Sequence, residues 1–140
     1  MKQLIRIKVR ESIDLWNEKN PTKKKKTALT ISKNIGINNR NLSLWNKEAP
    51  KQVKALYELS NFIRCNFDDL FECDEKGVLI RIRISELLNG RTFKLLSCMI
   101  VNSSESRLRL WDQGKLPFSI VNFFNFCKDL RVKPNSILEY

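Results

Sequence analysis

Residues 27–71 read TALTISKNIGINNRNLSLWNKEAPKQVKALYELSNFIRCNFDDLF, and the rest of the chain is arranged around them. Thr27 is a suitable N-cap for a helix that turns Ile31 and Ile35 inward. Gly36 ends that helix, because glycine accepts the left-handed backbone of a helix terminus at little cost. The polar run Asn38–Asn41 opens a second, short helix over about Asn39–Asn46. Leu42 and Trp45, at i and i+3, face inward. Pro50 breaks the chain before a helix over Lys51–Ile63, whose apolar positions are Val53, Leu56, Leu59, Phe62 and Ile63. Asn66 caps a last short helix, Phe67–Glu72, with acids in its first turn where the helix dipole favours them.

Helix, tight turn, short helix, loop, helix is an order that presents the second helix of the pair outward. Its residues are Ile31-Ser32-x-x-Ile35-Gly36-Ile37, Leu42-Ser43-x-Trp45 and Leu59-Ser60-x-x-Ile63-x-x-x-Phe67-Asp68-Asp69-Leu70-Phe71. This pattern resembles the Cro/CI-type (lambda-repressor-like, XRE) helix-turn-helix family. The resemblance implies a DNA-binding fold in which the short helix enters the major groove. It makes Asn39, Arg40 and Asn41 the base-reading candidates. The chemistry agrees: Asn pairs with adenine N6 and N7, and Arg with guanine O6 and N7. Thr27 and Ser43 become phosphate contacts. Two positions depart from the family: Ala28 stands where a glutamine often braces the short helix, and Leu44 stands where a polar base contact is common.

The composition agrees with a polyanionic partner. Lys and Arg total 26 against 15 Asp and Glu, a net charge of +11. Residues 1–74 carry 15 basic and 9 acidic side chains (+6), and residues 75–140 carry 11 and 6 (+5). The run Lys23-Lys24-Lys25-Lys26 precedes the first helix of the pair and can neutralise phosphates, as well as simply solvate. No apolar run approaches the ~18 residues of a membrane span, and the N-terminus lacks a signal-peptide core, so a cytoplasmic protein without membrane contact is expected. Cys65, Cys73, Cys98 and Cys127 form no C-x-x-C pair and there is no histidine, which argues against a metal. Cys65, Cys98 and Cys127 fall on apolar stripes and read as buried thiols. No nucleophile has an evident base and no glycine-rich phosphate loop is present, so neither an enzyme nor a cofactor is expected.

Leu4-Ile5-Arg6-Ile7-Lys8-Val9 alternates apolar and basic residues, a strand signal. A helix follows with Val9, Ile13 and Trp16 on one face, ending near Asn17. Asp74-Glu75-Lys76-Gly77 is the boundary between two domains, 1–74 and 75–140, which should touch because the connection is short. The second half repeats the first. Leu79-Ile80-Arg81-Ile82 copies Leu4-Ile5-Arg6-Ile7 at an offset of 75. Leu108-x-Leu110-Trp111 copies Leu42-x-Leu44-Trp45 at 66. Pro117, Arg131 and Glu139 copy Pro50, Arg64 and Glu72 at 67. The nine residues lost are assigned to the Pro-Lys loop, replaced by Asn89-Gly90-Arg91-Thr92.

The second unit's equivalent segment, Asn102-Ser103-Ser104-Glu105-Ser106-Arg107, has no turn glycine. Its DNA candidates are Ser104, Ser106, Arg107 and Arg109, with Glu105 expected to pair with Arg109. Trp45 and Trp111 read as core. Ile120, Phe123, Phe124, Phe126 and Cys127 form a Phe-rich face that is either core or a surface for a protein partner. The arms Leu4–Val9 and Leu79–Ile84 either pair with each other as a two-stranded ribbon or simply begin the first helix of each unit.

The expectation is an all-α protein of two tandem helix-turn-helix units, a monomer or homodimer. Its expected function is double-stranded DNA-binding transcriptional regulation as a pseudo-dimer. The alternative is a protein-interaction module on the same scaffold, such as an antirepressor, an antitoxin-like partner or an inhibitor of a host complex.

Overall fold

A computed structural model describes residues 3–100 and 103–140. Met1, Lys2, Val101 and Asn102 lie outside the described residues, and with Asn102 goes the first residue of the second unit's presumed recognition segment. The chain is mainly helical. In order it forms β1 (Arg6–Ile7), α1 (Val9–Lys19), α2 (Ala28–Ile35), α3 (Asn39–Leu44) and α4 (Lys51–Ile63). A 3-10 turn (Phe67–Leu70), β2 (Phe71–Cys73) and β3 (Leu79–Ile82) follow. A second 3-10 turn (Ser85–Leu87) precedes α5 (Phe93–Met99), α6 (Glu105–Asp112) and α7 (Phe118–Leu130). A third 3-10 turn (Pro134–Ile137) and β4 (Leu138–Glu139) close the chain.

The local reasons are visible at each end. Thr27 caps α2 by accepting from the Thr30 amide, and the Thr30 hydroxyl accepts from the Thr27 amide in return. Thr92 caps α5 and Ser104 caps α6 in the same way, each accepting from the backbone three residues on. The α4 and α7 helices both end on an arginine in the left-handed conformation, Arg64 and Arg131. Their inward faces match at an offset of 67: Val53, Leu56, Leu59, Ser60 and Ile63 in α4, and Ile120, Phe123, Phe126, Cys127 and Leu130 in α7, are all buried.

Both arms form strands, but they do not pair with each other. The β1 strand pairs antiparallel with β4, matching Arg6 with Glu139 and Ile7 with Leu138. The β3 strand pairs antiparallel with β2, matching Ile82 with Phe71 and Arg81 with Glu72. The arm of each half is therefore hydrogen-bonded to the tail of the other. Two backbone bonds extend the two ladders identically: Lys8 N–H donates to Ile137 O at 2.7 Å, and Arg83 N–H to Leu70 O at 2.8 Å. Charge repeats as well. Arg6 pairs with Glu139 and Glu11, and Arg81 with Glu72 and Glu86. The arm-to-arm ribbon loses to this arrangement because each tail offers a carboxylate opposite the arm's arginine, whereas the arms carry only apolar and basic residues.

Residues 74–77 are the turn of the β2–β3 hairpin, with the Asp74 carboxylate accepting from the Lys76 and Val78 amides. The halves share one buried cluster. Its centre is aromatic: Phe123 lies 6.5 Å from Trp45 and 6.1 Å from Phe67, centroid to centroid, and Phe126 lies 6.0 Å from Trp45. Trp45 and Trp111 are buried, as their spacing indicates.

One open choice is decided, in favour of core, and two further expectations change. The Phe-rich face of α7 is not open to a protein partner: Phe123 and Phe126 are buried and Phe124 stacks on Phe71 at 5.4 Å. The residues missing from the second half come mostly from the helix that follows the arm, where the eleven residues of α1 are replaced by the three-residue turn Ser85–Leu87. The segment after Asn66 makes one 3-10 turn and then extends as β2, because Phe71–Cys73 finds β3 to pair with.

Candidate nucleic-acid interface

Gly36 takes φ 75° at the end of α2, and its amide donates to Ser32 O. That left-handed residue lets the chain reverse in two residues and start α3, with Asn38 capping it by accepting from the Arg40 amide at 2.7 Å. Leu42 and Trp45 are buried under α3, and α3 packs on α2. The helix is thereby held by its inner side, and Asn39, Arg40, Asn41, Ser43 and Leu44 are all exposed. Among the described residues none makes a hydrogen bond or ion pair with the side chains of Asn39, Arg40 or Asn41, so the donors and acceptors needed for base edges are available.

A groove of about 420 Å³ beside α3 is lined by Lys25, Lys26, Thr27 and Ser43, with Arg10 and Asn17. It gathers several of the phosphate candidates at the N-terminus of an eight-residue helix, where backbone N–H groups and the dipole favour an anion. The lysine run divides, however. Lys24 and Lys25 are exposed, and Lys23 lines a different cavity between α1, α2 and α7. The Lys26 ammonium is already engaged: it donates to Asp129 O at 2.9 Å, lies 3.2 Å from Asp129 Oδ2, and sits 4.7 Å from the Trp16 ring centre. Its role is to fasten α7 to the segment before α2. The residue at the second helical position of α2 is Leu29 rather than Ala28, and it is exposed.

In the second half the equivalent helix is α6, with Ser104 at the place of Asn38, and Glu105, Ser106 and Arg107 at those of Asn39, Arg40 and Asn41. Ser104 accepts from the Arg107 amide and shares a 3.2 Å hydroxyl contact with Ser106. Arg109 lies over the Phe93 ring at 4.6 Å and 3.9 Å from Glu105, so its guanidinium has internal partners. The α5 helix ends at Ile100, whose backbone is extended (φ −105°), where Gly36 is left-handed. The second half thus keeps the helix that would be presented, but the helix before it ends on an extended residue and not a left-handed one.

The residues that sequence reasoning missed as a group are Arg6, Glu139, Arg81 and Glu72. Their signal was present: both members of each pair recur at the repeat offsets, arginine in the arm and glutamate in the tail. The thiols divide too. Cys127 is buried, and burial pushes its thiol well up; Cys65 is partly buried and also raised by desolvation; Cys98 is exposed.

No protein-family model, curated protein or solved structure matches the chain. Among the described residues no helix is long and apolar enough to cross a membrane.

Proposed function

We propose that the chain is a double-stranded DNA-binding transcriptional regulator built from two tandem helix-turn-helix units. The observation that carries the proposal is the exposure of Asn39, Arg40 and Asn41 on a helix anchored from beneath by Leu42 and Trp45. The groove joining Thr27 to Ser43 supports it, since it puts phosphate-binding groups next to the base-reading ones. The net charge of +11 supplies the long-range attraction. The reciprocal exchange of arms and tails supports a built-in pseudo-dimer. Because Glu105 and Ser106 replace Asn39 and Arg40, two half-sites read by this chain would differ, and the operator would be an imperfect palindrome or none. On this reading the protein binds and does not catalyse, and it works in the cytoplasm.

Selection from randomised duplexes, followed by gel shifts over a salt series, tests the proposal. A selected motif should emerge, and Arg40→Ala should weaken its binding by about 1–3 kcal/mol while leaving binding to random duplex nearly unchanged. A salt slope without any motif would reduce the function to charge-driven coating.

A second reading is a protein-interaction module. It is favoured by Leu44 and Leu110, which occupy equivalent positions on α3 and α6 and are 50% and 41% exposed. Capture of a stoichiometric protein partner that Leu44→Asn abolishes, with no selected DNA motif, would establish it instead.

A further inference from the structure

A second concavity lies apart from the groove beside α3. It is a cavity of about 690 Å³ where α1, the lysine-bearing segment after it and the end of α2 meet α7. Its walls carry Lys19, Lys23, Lys26, Lys128 and Arg131 against one carboxylate, Asp129, which is paired with Lys26. Five cations around one neutralised acid make a strong anion trap, because charges lining a concave wall reinforce one another's field. The Lys128 ammonium donates to Lys76 O at 3.3 Å, and Lys19, Lys23 and Arg131 are the lining cations whose side chains have no partner among the described residues.

The cavity is not purely a charge trap. Leu15, Ile35, Leu130 and Val132 supply apolar wall, and the Trp16 ring supplies a flat surface. The amides of Asn34 and Asn125 reach the lining and offer both donors and acceptors. A volume of this size lies within the range of small-molecule sites, and apolar walls with a few placed polar groups are their usual chemistry. An inorganic anion would use only the cations and leave the ring, the apolar wall and the amides without a role.

We propose that this cavity is a binding site for a small organic phosphate of mononucleotide size. Lys19, Lys23 and Arg131 hold the phosphoryl group, and the flat body lies against Trp16 within reach of Asn34 and Asn125. The site belongs to neither half alone: α1 and the segment after it bring Trp16, Lys19 and Lys23, and α7 and its C-cap bring Asn125 and Arg131. It does not depend on the DNA reading, since Lys19 and Arg131 are outside the α3 groove.

Tryptophan emission of the full chain is the readout. Trp45 and Trp111 are buried, so Trp16 is the indole that a ligand in the cavity reaches. Titration with AMP, GMP, CMP and UMP is expected to give a saturable change with at least one, with a Kd well below ~1 mM. Inorganic phosphate and the matching nucleoside should each bind at least about tenfold more weakly, because each lacks one half of the contacts. Lys19→Gln and Arg131→Asn should each raise Kd about tenfold. Asn tolerates the left-handed backbone at position 131 (φ 54°), and Lys19 is exposed on the last turn of α1, so its variant stands as the test alone if Arg131→Asn melts early. No saturable change with any of the four mononucleotides up to ~1 mM overturns the proposal. So does phosphate binding as tightly as the nucleotide, or an unchanged Kd in Lys19→Gln.

Discussion

The two halves of the chain differ least where they hold each other and most where they meet solvent. At the shared frame the correspondence is residue by residue. Arg6 and Arg81 each reach a glutamate on the other half's tail, and each also binds a glutamate five residues on, Glu11 and Glu86. Asn46 accepts from the Arg10 amide, and Asp112 accepts from the Ser85 amide, its equivalent. Away from the frame the halves part. Left-handed Gly36 ends α2 where extended Ile100 ends α5, α1 has shrunk to one turn, and Asn39-Arg40 has become Glu105-Ser106. The contacts that make one molecule of the two repeats constrain both alike, whereas an exposed helix face is constrained only by what it binds. One presenting surface and one divergent copy on a common frame is what remains.

The sharpest way to break the comparison is at the aromatic centre. Phe123 is fully buried among Trp45, Phe67 and Phe71, which belong to the other half. Phe123→Ala should cost about 3–5 kcal/mol. Urea unfolding followed by far-UV circular dichroism and by tryptophan emission should lose both halves in one coincident transition. Separate transitions for the two probes would mean that each half holds together without the other.

A smaller effect tests the loops that differ. In the first half Ile5 O accepts from the Ala49 amide at 3.0 Å. In the second, Ile80 O stands against Gly114, and a Cβ there would come within 2.5 Å of it at φ 93°. Gly36 has φ 75° but open space around its missing Cβ. Gly114→Ala should therefore cost more than ~2 kcal/mol, combining backbone strain with a clash against main chain, and Gly36→Ala only about 1 kcal/mol. Equal losses of thermal stability would remove the proposed role of the Ile80 contact.

The two arginines sharpen the comparison further. Arg81 reaches a third carboxylate, Asp112, at 3.1 Å, whose equivalent in the first half is the neutral Asn46. Arg6→Ala should cost roughly 0.5–1 kcal/mol and Arg81→Ala about 1–2 kcal/mol, since all these pairs are partly solvated. Asp112→Asn should shrink the difference between them, as read from urea midpoints.

The smallest effect is on the acid side. The hydrogen bond from Arg6 holds the Glu11 carboxyl below the usual carboxylate range, against a small opposing push from burial. A lowered folded value stabilises above the unfolded one, about 4.3, and that stabilisation fades as pH falls through the folded value. Melting temperatures of Glu11→Gln should approach those of the unaltered chain on acidification below about pH 4. A gap that stays constant with pH would show that Glu11 acts by packing alone.

The sequence determined a good deal unaided. Apolar spacing defined α4 to the residue, and Thr27 and Gly36 set the limits of α2. The i, i+3 spacing with Leu42 and Leu108 buried both tryptophans, and the offsets of 75, 66 and 67 disclosed the repeat. These are signals of short range, in which each residue's surroundings are set by neighbours within a turn or two. Only the tertiary structure decided which strand each arm would meet, that Lys26 is tied to Asp129, that the α7 phenylalanines are enclosed by Trp45 and Phe67, and that Lys19 and Arg131 line one cavity. Most of those outcomes depend on pairings between residues far apart in the chain, 103 apart for Lys26 and Asp129 and 133 for Arg6 and Glu139, where periodicity is silent and the partner is chosen by complementary charge and by the space left when the two halves close.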